Sequence, residues 1–217
     1  KELLKRKADI AICLDGDADR VVLIDEKGIT LSGEEILYII ANHYVKKKLL
    51  KKGSTIVSNE IANYGFEESL KKIGIKLLRV KVGDKNIIEA INKNGYLLGG
   101  EPSGHIICRD LVSTGDGTIA ALKVISSLLI LEKDPEDILR NYTKMPQINI
   151  NVEVKNKDVL SDSDIQKKIK EVESDLTVGR VLVRPSGTES KIRVMVESDD
   201  EITATKYAKD IATMFKK

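Results

Sequence analysis

The chain has no surplus of either charge. Its 217 residues include 36 Lys and Arg against 34 Asp and Glu, which gives a net charge of +2. A protein whose main partner is a nucleic acid or an anionic membrane carries a clear basic excess. The balance therefore argues against nucleic acid and membrane as partners.

Long hydrophobic runs and cysteines are also scarce. No apolar stretch approaches the ~20 residues of a membrane-spanning helix, and the charged segment 1–7 is unlike a signal peptide. Cys13 and Cys108 each lie inside an apolar run, so we expect two buried thiols in a reducing compartment, the cytoplasm. The chain lacks an initiating Met and enters a predicted strand almost at once, which leads us to expect a fragment of a longer protein.

What the sequence does contain is organised around one acidic loop, Asp15-Gly16-Asp17-Ala18-Asp19-Arg20. Apolar runs on either side, residues 10–14 and 21–24, predict strand, loop, strand. Three carboxylates at alternate loop positions can converge, and they repel one another unless a cation lies between them. Mg²⁺ prefers carboxylate oxygens, and Arg20 adds a cation suited to phosphate. We therefore predict a Mg²⁺ site with the ligands Asp15, Asp17 and Asp19.

Three other interpretations of this loop compete with a Mg²⁺ site. An EF-hand needs glycine where this chain has Arg20, and helices rather than strands on either side, so we reject it. A strand followed by Asp-x-Asp is similar to the nucleophile loop of haloacid-dehalogenase-type phosphatases, with Asp15 as nucleophile. Asp19 departs from that pattern, which makes the phosphatase a second hypothesis. A plain surface turn is disfavoured by the strict alternation of Asp between two apolar runs.

Alternating strands and helices predict the fold class. Apolar strands are separated by helices that end at Gly74 and Gly95. This order predicts an α/β domain with a mixed or parallel sheet and helices on both faces. After a linker at residues 145–147 the apolar period becomes two, and a β-α-β-β-α order predicts a smaller C-terminal α+β domain.

The helix predicted over about 33–50 has the clearest start signal. Ser32 followed three residues later by Glu35 forms a capping-box pattern. The apolar residues recur at helical spacing, which indicates one buried face. His43 falls on the other side, where we expect it to be solvated.

Two loops at predicted strand ends carry suitable binding chemistry, because ligands of parallel sheets bind at the carboxyl ends of strands. In the loop 100–105, Glu101 and Ser103 would match neighbouring sugar hydroxyls; a plain β-turn is the equal alternative. In the loop 81–85, two lysines flank a helix start that could bind an anion, or Asp84 could be only an N-cap. For the loop 114–117 we expect a helix-start turn.

A further loop, Arg184-Pro185-Ser186-Gly187-Thr188-Glu189-Ser190, joins two strands of the C-terminal domain. Ser186, Gly187 and Thr188 can offer successive backbone N–H groups and two hydroxyls to an anion. Arg184 and Arg193 add bidentate cations. The loop predicts a phosphate site that is not a P-loop; a hairpin turn with incidental arginines is the alternative.

Taken in order, these loops resemble those of the α-D-phosphohexomutases. The acidic loop is similar to that family's Mg²⁺ loop, residues 100–105 to its sugar-binding loop, 184–189 to its phosphate-binding loop and 82–85 to a further substrate-contacting loop. The resemblance implies metal ligation by Asp15, Asp17 and Asp19, and catalytic roles for Arg20 and Lys85. It implies substrate binding by Gly83, Asp84, Glu101, Ser103, His105, Arg184, Ser186, Gly187, Thr188 and Arg193.

The resemblance also implies a domain order. Residues 1–28 would be the tail of the second of four domains, 29–143 the sugar-binding third domain, and 144–217 the phosphate-binding fourth domain. The family's catalytic phosphoserine lies on its first domain in a Ser-His-Asn-Pro-type loop, and no Ser-His pair occurs in this chain. We therefore expect partners in the missing N-terminal domains and no activity from this chain alone.

The implied substrate is a small phosphorylated sugar, with Mg²⁺ as cofactor. The resemblance is greatest to members that interconvert glucosamine 6-phosphate and glucosamine 1-phosphate through a phosphoserine and a bisphosphate intermediate. Ser190-Lys191 departs from their usual sequence, so members acting on mannose or glucose phosphates stay open. A homodimer is a further hypothesis, and we expect the three loops to face one cleft.

Overall fold

The structure is a computed structural model that describes residues 1–215. It divides into two compact units, Lys1–Thr143 and Lys144–Lys217, each with its own hydrophobic core. Residues 216 and 217, the end of the predicted C-terminal domain, lie outside the described residues. Within residues 1–215, none of the helices is both long and apolar enough to span a lipid bilayer.

The first unit begins with an antiparallel sheet that carries the acidic loop. A short helix precedes three strands in the order β1-β2-β3: α1 (Glu2–Arg6), β1 (Ile10–Leu14), β2 (Val21–Asp25) and β3 (Thr30–Leu31). Leu14 lies opposite Val21, so the acidic loop closes a β-hairpin. The predicted boundary at residue 28 falls between the paired strands β2 and β3, inside one compact unit, and it stays a prediction.

The two cysteines differ in burial. Cys108 is buried as expected, whereas Cys13 is exposed, so the expectation of two buried thiols is wrong for Cys13. The reason is that β1 is an edge strand, and Cys13 and its cross-strand neighbour Val22 lie on the sheet face that is turned to solvent.

A four-stranded sheet forms the centre of the first unit, in the order β5-β4-β6-β7. Its strands are β4 (Thr55–Asn59), β5 (Lys76–Val80), β6 (Leu98–Gly100) and β7 (Ile106–Cys108). β4 is parallel to β5 and β6, and β7 is antiparallel to β6. The helices of this part of the unit are α2 (Gly33–Lys46), α3 (Tyr64–Lys72), α4 (Asp84–Asn94), α5 (Gly117–Leu131) and α6 (Pro135–Leu139).

Helices cover both faces of this sheet. Ile56 and Val57 are consecutive on β4 and therefore point to opposite faces. Ile56 belongs to the cluster that includes α2 and α5, and Val57 packs with Ile87 and Ile91 of α4. The predicted mixed α/β architecture is confirmed.

Helix α2 begins at the predicted capping box. The Ser32 hydroxyl accepts from the Glu35 N–H, and the Ser32 N–H donates to Glu35 Oε2 at 2.7 Å. The helix packs against α3, α5, α6 and β6, so it is covered on several sides. His43 is consequently only 4% exposed, with its Nδ1 2.8 Å from Ser127 Oγ, and the expectation of a solvated histidine is wrong.

The second unit is a three-stranded antiparallel sheet covered by two helices. The sheet has the order β8-β10-β9, with the elements β8 (Gln147–Glu153), α7 (Ser163–Asp175), β9 (Gly179–Pro185), β10 (Lys191–Ser198) and α8 (Glu201–Met214). Ile169 of α7 and Ala208 of α8 pack with Val194 of β10 in one cluster. The predicted α+β order is confirmed, and a short 3-10 helix, Lys157–Ser161, is added to it.

Candidate functional site

The acidic loop brings its three aspartates together. Each of Asp15, Asp17 and Asp19 offers one carboxylate oxygen, and these oxygens lie within 4.8 Å of one another. The convergence depends on Ala18, whose φ of 58° places it in the left-handed region, and on two bonds within the loop. The Ala18 N–H donates to Asp15 O at 3.3 Å, and the Arg20 N–H donates to Asp15 Oδ1 at 3.2 Å.

The donor set fits a hard divalent cation. Oδ1 of Asp19 is buried and has no hydrogen-bond partner among the described residues, which is costly for a carboxylate oxygen unless a cation binds it. Arg20 lies 3.7 Å from Asp15 and 4.0 Å from Asp19. One guanidinium leaves most of the repulsion among three carboxylates in place, and carboxylate oxygens are ligands that Mg²⁺ prefers.

The loop between β6 and β7 contacts the acidic hairpin directly. Its ends are joined because the Glu101 N–H donates to His105 O at 2.9 Å. The Val21 N–H, just after the acidic loop, donates to Gly104 O at 3.1 Å. Gly104 has φ of +94°, and a Cβ there would lie 2.2 Å from Val21 O, so only glycine permits this approach.

Glu101 joins three strand ends. Its carboxylate accepts from Ser103 Oγ at 3.1 Å, from Asn59 Nδ2 at 3.0 Å and from the Gly83 N–H at 3.3 Å. Glu101 and Ser103, which we predict to bind a sugar together, are therefore in direct contact. Asn59 was not predicted, although its position as the last residue of a parallel strand is a signal that could have identified it.

His105 lies beneath the loop rather than on its surface. It is 2% exposed, and its Nδ1 lies 3.2 Å from Asp19 Oδ2. Arg20 and His105 also pair through an isolated β-bridge. The structure thus places His105 against the acidic loop, on the same turn that carries Glu101 and Ser103.

The loop 81–85 meets this site through its backbone. Gly83 has φ of +123° and is the residue before helix α4, so the proposal that Asp84 is the N-cap is wrong. Asp84 is the first helical residue, and its carboxylate accepts from the Lys85 N–H at 2.7 Å. The Lys85 side chain is 84% exposed, and its ammonium lies 3.9 Å from Glu89.

In the second unit, the arginine-containing turn joins β9 to β10. Arg184 and Arg193 lie directly opposite each other on these strands, where like charges repel. Nη2 of Arg193 donates to Ser186 Oγ at 3.4 Å, and Ser186 is 2% exposed. Within residues 1–215 the N–H groups of Gly187 and Thr188 make no hydrogen bond, so the turn offers two N–H donors to an anion, next to Arg193, which also lies 3.6 Å from Glu189.

A lysine that the sequence did not single out supports this turn. Nζ of Lys157, on the 3-10 helix, donates to Ser186 O at 2.6 Å. Nothing in the local sequence connects residue 157 with residue 186, because the contact depends on how the 3-10 helix follows β8. On the other side of the turn, Glu189 bonds to Lys191 at 2.8 Å. That bond, together with the charge of Lys191, lowers the pKa of Glu189.

Comparisons with known proteins match both units of the chain. Residues 32–145 match the family model of phosphoglucomutase/phosphomannomutase alpha/beta/alpha domain III, and residues 149–214 match that of the C-terminal domain. Phosphoglucosamine mutase of Parvibaculum lavamentivorans is 42% identical over 213 residues, which are 98% of this chain and 47% of that protein. Phosphoglucosamine mutase of Bdellovibrio bacteriovorus is 43% identical over 219 residues, 100% of this chain and 48% of that protein.

Solved structures show the same fold. Aspergillus fumigatus N-acetylphosphoglucosamine mutase, in complex with GlcNAc-6P and magnesium, has a TM-score of 0.77 and 22% identity, covering 95% of this chain and 52% of that one. The chain thus spans about half the length of the curated relatives it matches. Since both family models match in order over most of its residues, the chain belongs to the phosphoglucomutase/phosphomannomutase family.

Proposed function

We propose that this chain forms the metal-, sugar- and phosphate-binding part of a phosphoglucosamine mutase, which interconverts glucosamine 6-phosphate and glucosamine 1-phosphate. The relatives at 42–43% identity carry that name. The observation that supports the proposal best lies within the first unit. There the acidic loop and the Glu101–Ser103 turn are joined through His105, so a cation site and a hydroxyl-binding pair are neighbours.

Glu101 and Ser103 would hold the sugar. Ionised Glu101 only accepts hydrogen bonds, whereas the Ser103 hydroxyl both donates and accepts. Sugar hydroxyls do the same, so the pair can bind two neighbouring hydroxyls in either direction along the ring. A mutase needs this tolerance because its bisphosphate intermediate must turn round and present the other phosphate. Asn59 and the Gly83 N–H fix the Glu101 carboxylate for that task.

The second unit would hold the phosphate that is not reacting. Arg184 and Arg193 supply charge, and the N–H groups of Gly187 and Thr188 supply directed donors. Ser186 is fixed behind them by Arg193 and Lys157. Holding the distal phosphate orients the sugar, which contributes to the rate by positioning.

Asp15, Asp17 and Asp19 would hold Mg²⁺, which when bound neutralises charge that develops on the transferring phosphoryl group. We assign two cations, Arg20 and Lys85, to the same phosphoryl group. Arg20 lies beside two of these carboxylates, and Lys85 lies on the loop that contacts Glu101. The nucleophilic serine would come from the preceding domains of the same protein, with residues 1–28 as the tail of the second domain. We also propose a cytoplasmic location. We further propose a homodimer, whose molar mass light scattering would measure.

The test measures binding and turnover by the same chain. Calorimetry with Mg²⁺ present is expected to show glucosamine 6-phosphate binding, which E101A abolishes and E171A, at an exposed helix position, leaves unchanged. A coupled assay supplied with glucosamine 1,6-bisphosphate is expected to show no sustained turnover. Binding that is equal in E101A and wild type would contradict the sugar site, and turnover by these 217 residues would contradict the missing serine.

The dehalogenase-type phosphatase remains a separate hypothesis with its own test. It requires Asp15 as a nucleophile, so the wild-type chain should hydrolyse a generic phosphate ester and D15N should not. We expect no hydrolysis above background from either protein. Hydrolysis that disappears in D15N would favour the phosphatase.

A further inference from the structure

Asp19 is held on one side by His105. The carboxylate oxygen Oδ2 lies 3.2 Å from His105 Nδ1, and the His105 side chain is 3% exposed. Because an ionised carboxylate can only accept, Nδ1 must carry the proton and donate it. This bond leaves the other oxygen, Oδ1, buried and without a hydrogen-bond partner among residues 1–215. One oxygen of Asp19 is thus fixed by the protein, and an oxygen of the same carboxylate lies within 4.8 Å of carboxylate oxygens of Asp15 and Asp17.

His105 is in turn held by Gly115. A Cβ at residue 115 would lie 2.2 Å from both Cε1 and Nε2 of the imidazole. Such a distance is far inside van der Waals contact, and the ring is buried, so it has little room to move. Only glycine at position 115 allows His105 to reach Asp19.

The same turn supports the backbone of the acidic loop. The Gly117 N–H donates to Ala18 O at 2.9 Å, and Ala18 is the residue in the left-handed conformation. A Cβ at Gly117 would lie 2.7 Å from Arg20 O. The turn 114–117 therefore contacts the acidic loop at its backbone through Gly117 and at Asp19 through His105.

We propose that His105 and the turn 114–117 are positioning elements for the metal site, and that they act by fixing the Asp19 carboxylate in its metal-binding orientation. The inference rests on the proposed function, since it assumes that the acidic loop binds Mg²⁺. It gives the turn 114–117 a role beyond starting helix α5, and it gives His105 a role that is exercised through Asp19. Partners of this kind behind a metal ligand typically change affinity 10–100-fold.

Mg²⁺ affinity of the 217-residue chain, measured by calorimetry, tests the proposal. H105L keeps apolar volume but removes the donor, and we expect at least a tenfold loss of affinity. H105N places an amide N–H near the position of Nδ1 and is expected to restore affinity to within about threefold of wild type. G115A displaces the ring and is expected to behave like H105L.

G65A is the matched control for general destabilisation. Gly65 lies at the start of α3, and a Cβ there would lie 2.0 Å from Thr143 O. The variant should therefore melt at a lower temperature but bind Mg²⁺ with unchanged affinity. The inference would be overturned, and the proposed function left in place, by folded H105L that binds Mg²⁺ like wild type. The same holds if G65A loses as much Mg²⁺ affinity as G115A. A wild-type chain that binds no Mg²⁺ would overturn the metal site of the proposed function as well. If G115A does not fold, the comparison of H105L with H105N decides.

Discussion

The close approach of Gly104 to Val21 can be measured as a stability difference. G104A places an alanine at φ of +94°, and the left-handed region costs an L-residue about 1–2 kcal/mol. The new Cβ would also lie 2.2 Å from Val21 O, so the loop must move and give up the 3.1 Å bond from the Val21 N–H. A net hydrogen bond adds about 1 kcal/mol.

The expected destabilisation is therefore about 2–3 kcal/mol. For a unit of this size, it corresponds to a fall in Tm of about 6–10 °C. Calorimetric melting of the wild type and G104A measures it. The variant should also bind Mg²⁺ less well, because the loop that moves carries His105.

G53A is the matched control for this substitution. Gly53 has φ of +87°, and no atom lies within 4 Å of a Cβ built there. G53A therefore has only the free-energy cost of an L-residue in the left-handed region, without a steric clash. Its Tm should fall by about 3–6 °C. If G104A were no more destabilising than G53A, the contact between the 100–105 loop and the acidic hairpin would not be as close as the structure has it.

Three shorter predictions concern thiol reactivity, pH and phosphate binding. Iodoacetamide should modify exposed Cys13 and spare Cys108, whose pKa burial raises to about 12; mass spectrometry that finds both modified in the folded chain would contradict this. Burial, with Lys123 nearby, lowers the pKa of His43 below its ordinary 6.5, so the unfolded chain binds more protons and stability should fall as the pH falls through 6.5. Urea unfolding at a series of pH values should show that the stability of H43Q depends less on pH than that of the wild type. An equal pH dependence in both proteins would count against the lowered pKa of His43. K157M should weaken inorganic phosphate binding about fivefold, the worth of one net hydrogen bond, while K157R should retain most of it; equal affinity in all three proteins would remove Lys157 from the site.

Much of the fold follows from local patterns. The Ser32–Glu35 capping box predicts the start of α2 because both bonds lie within one turn of the helix. Glycine predicts where α4 ends, since Gly95 adopts the left-handed conformation that closes the helix. The spacing of Asp15, Asp17 and Asp19 likewise predicts their convergence, because all three lie in one hairpin loop.

What the sequence could not predict depends on contacts between distant segments. His43 is buried because Ser127, on α5, lies beside it, and an amphipathic pattern indicates one buried face without showing how many neighbours a helix has. Cys13 is exposed because β1 is an edge strand, which an apolar run cannot reveal. Asn59 and Lys157 contact their loops from other elements, and the fit of Gly115 against His105 appears only when both loops are in place.

The proposed function requires that the acidic loop and the adjacent turn form one Mg²⁺ and sugar-phosphate site. Amide NMR of the chain, titrated first with Mg²⁺ and then with glucosamine 6-phosphate, tests it residue by residue. Mg²⁺ is expected to shift the amide signals of residues 15–20 and of His105, and the sugar phosphate is then expected to shift those of Glu101 and Ser103. Mg²⁺ shifts scattered over other acidic residues, with residues 15–20 unchanged, would contradict it.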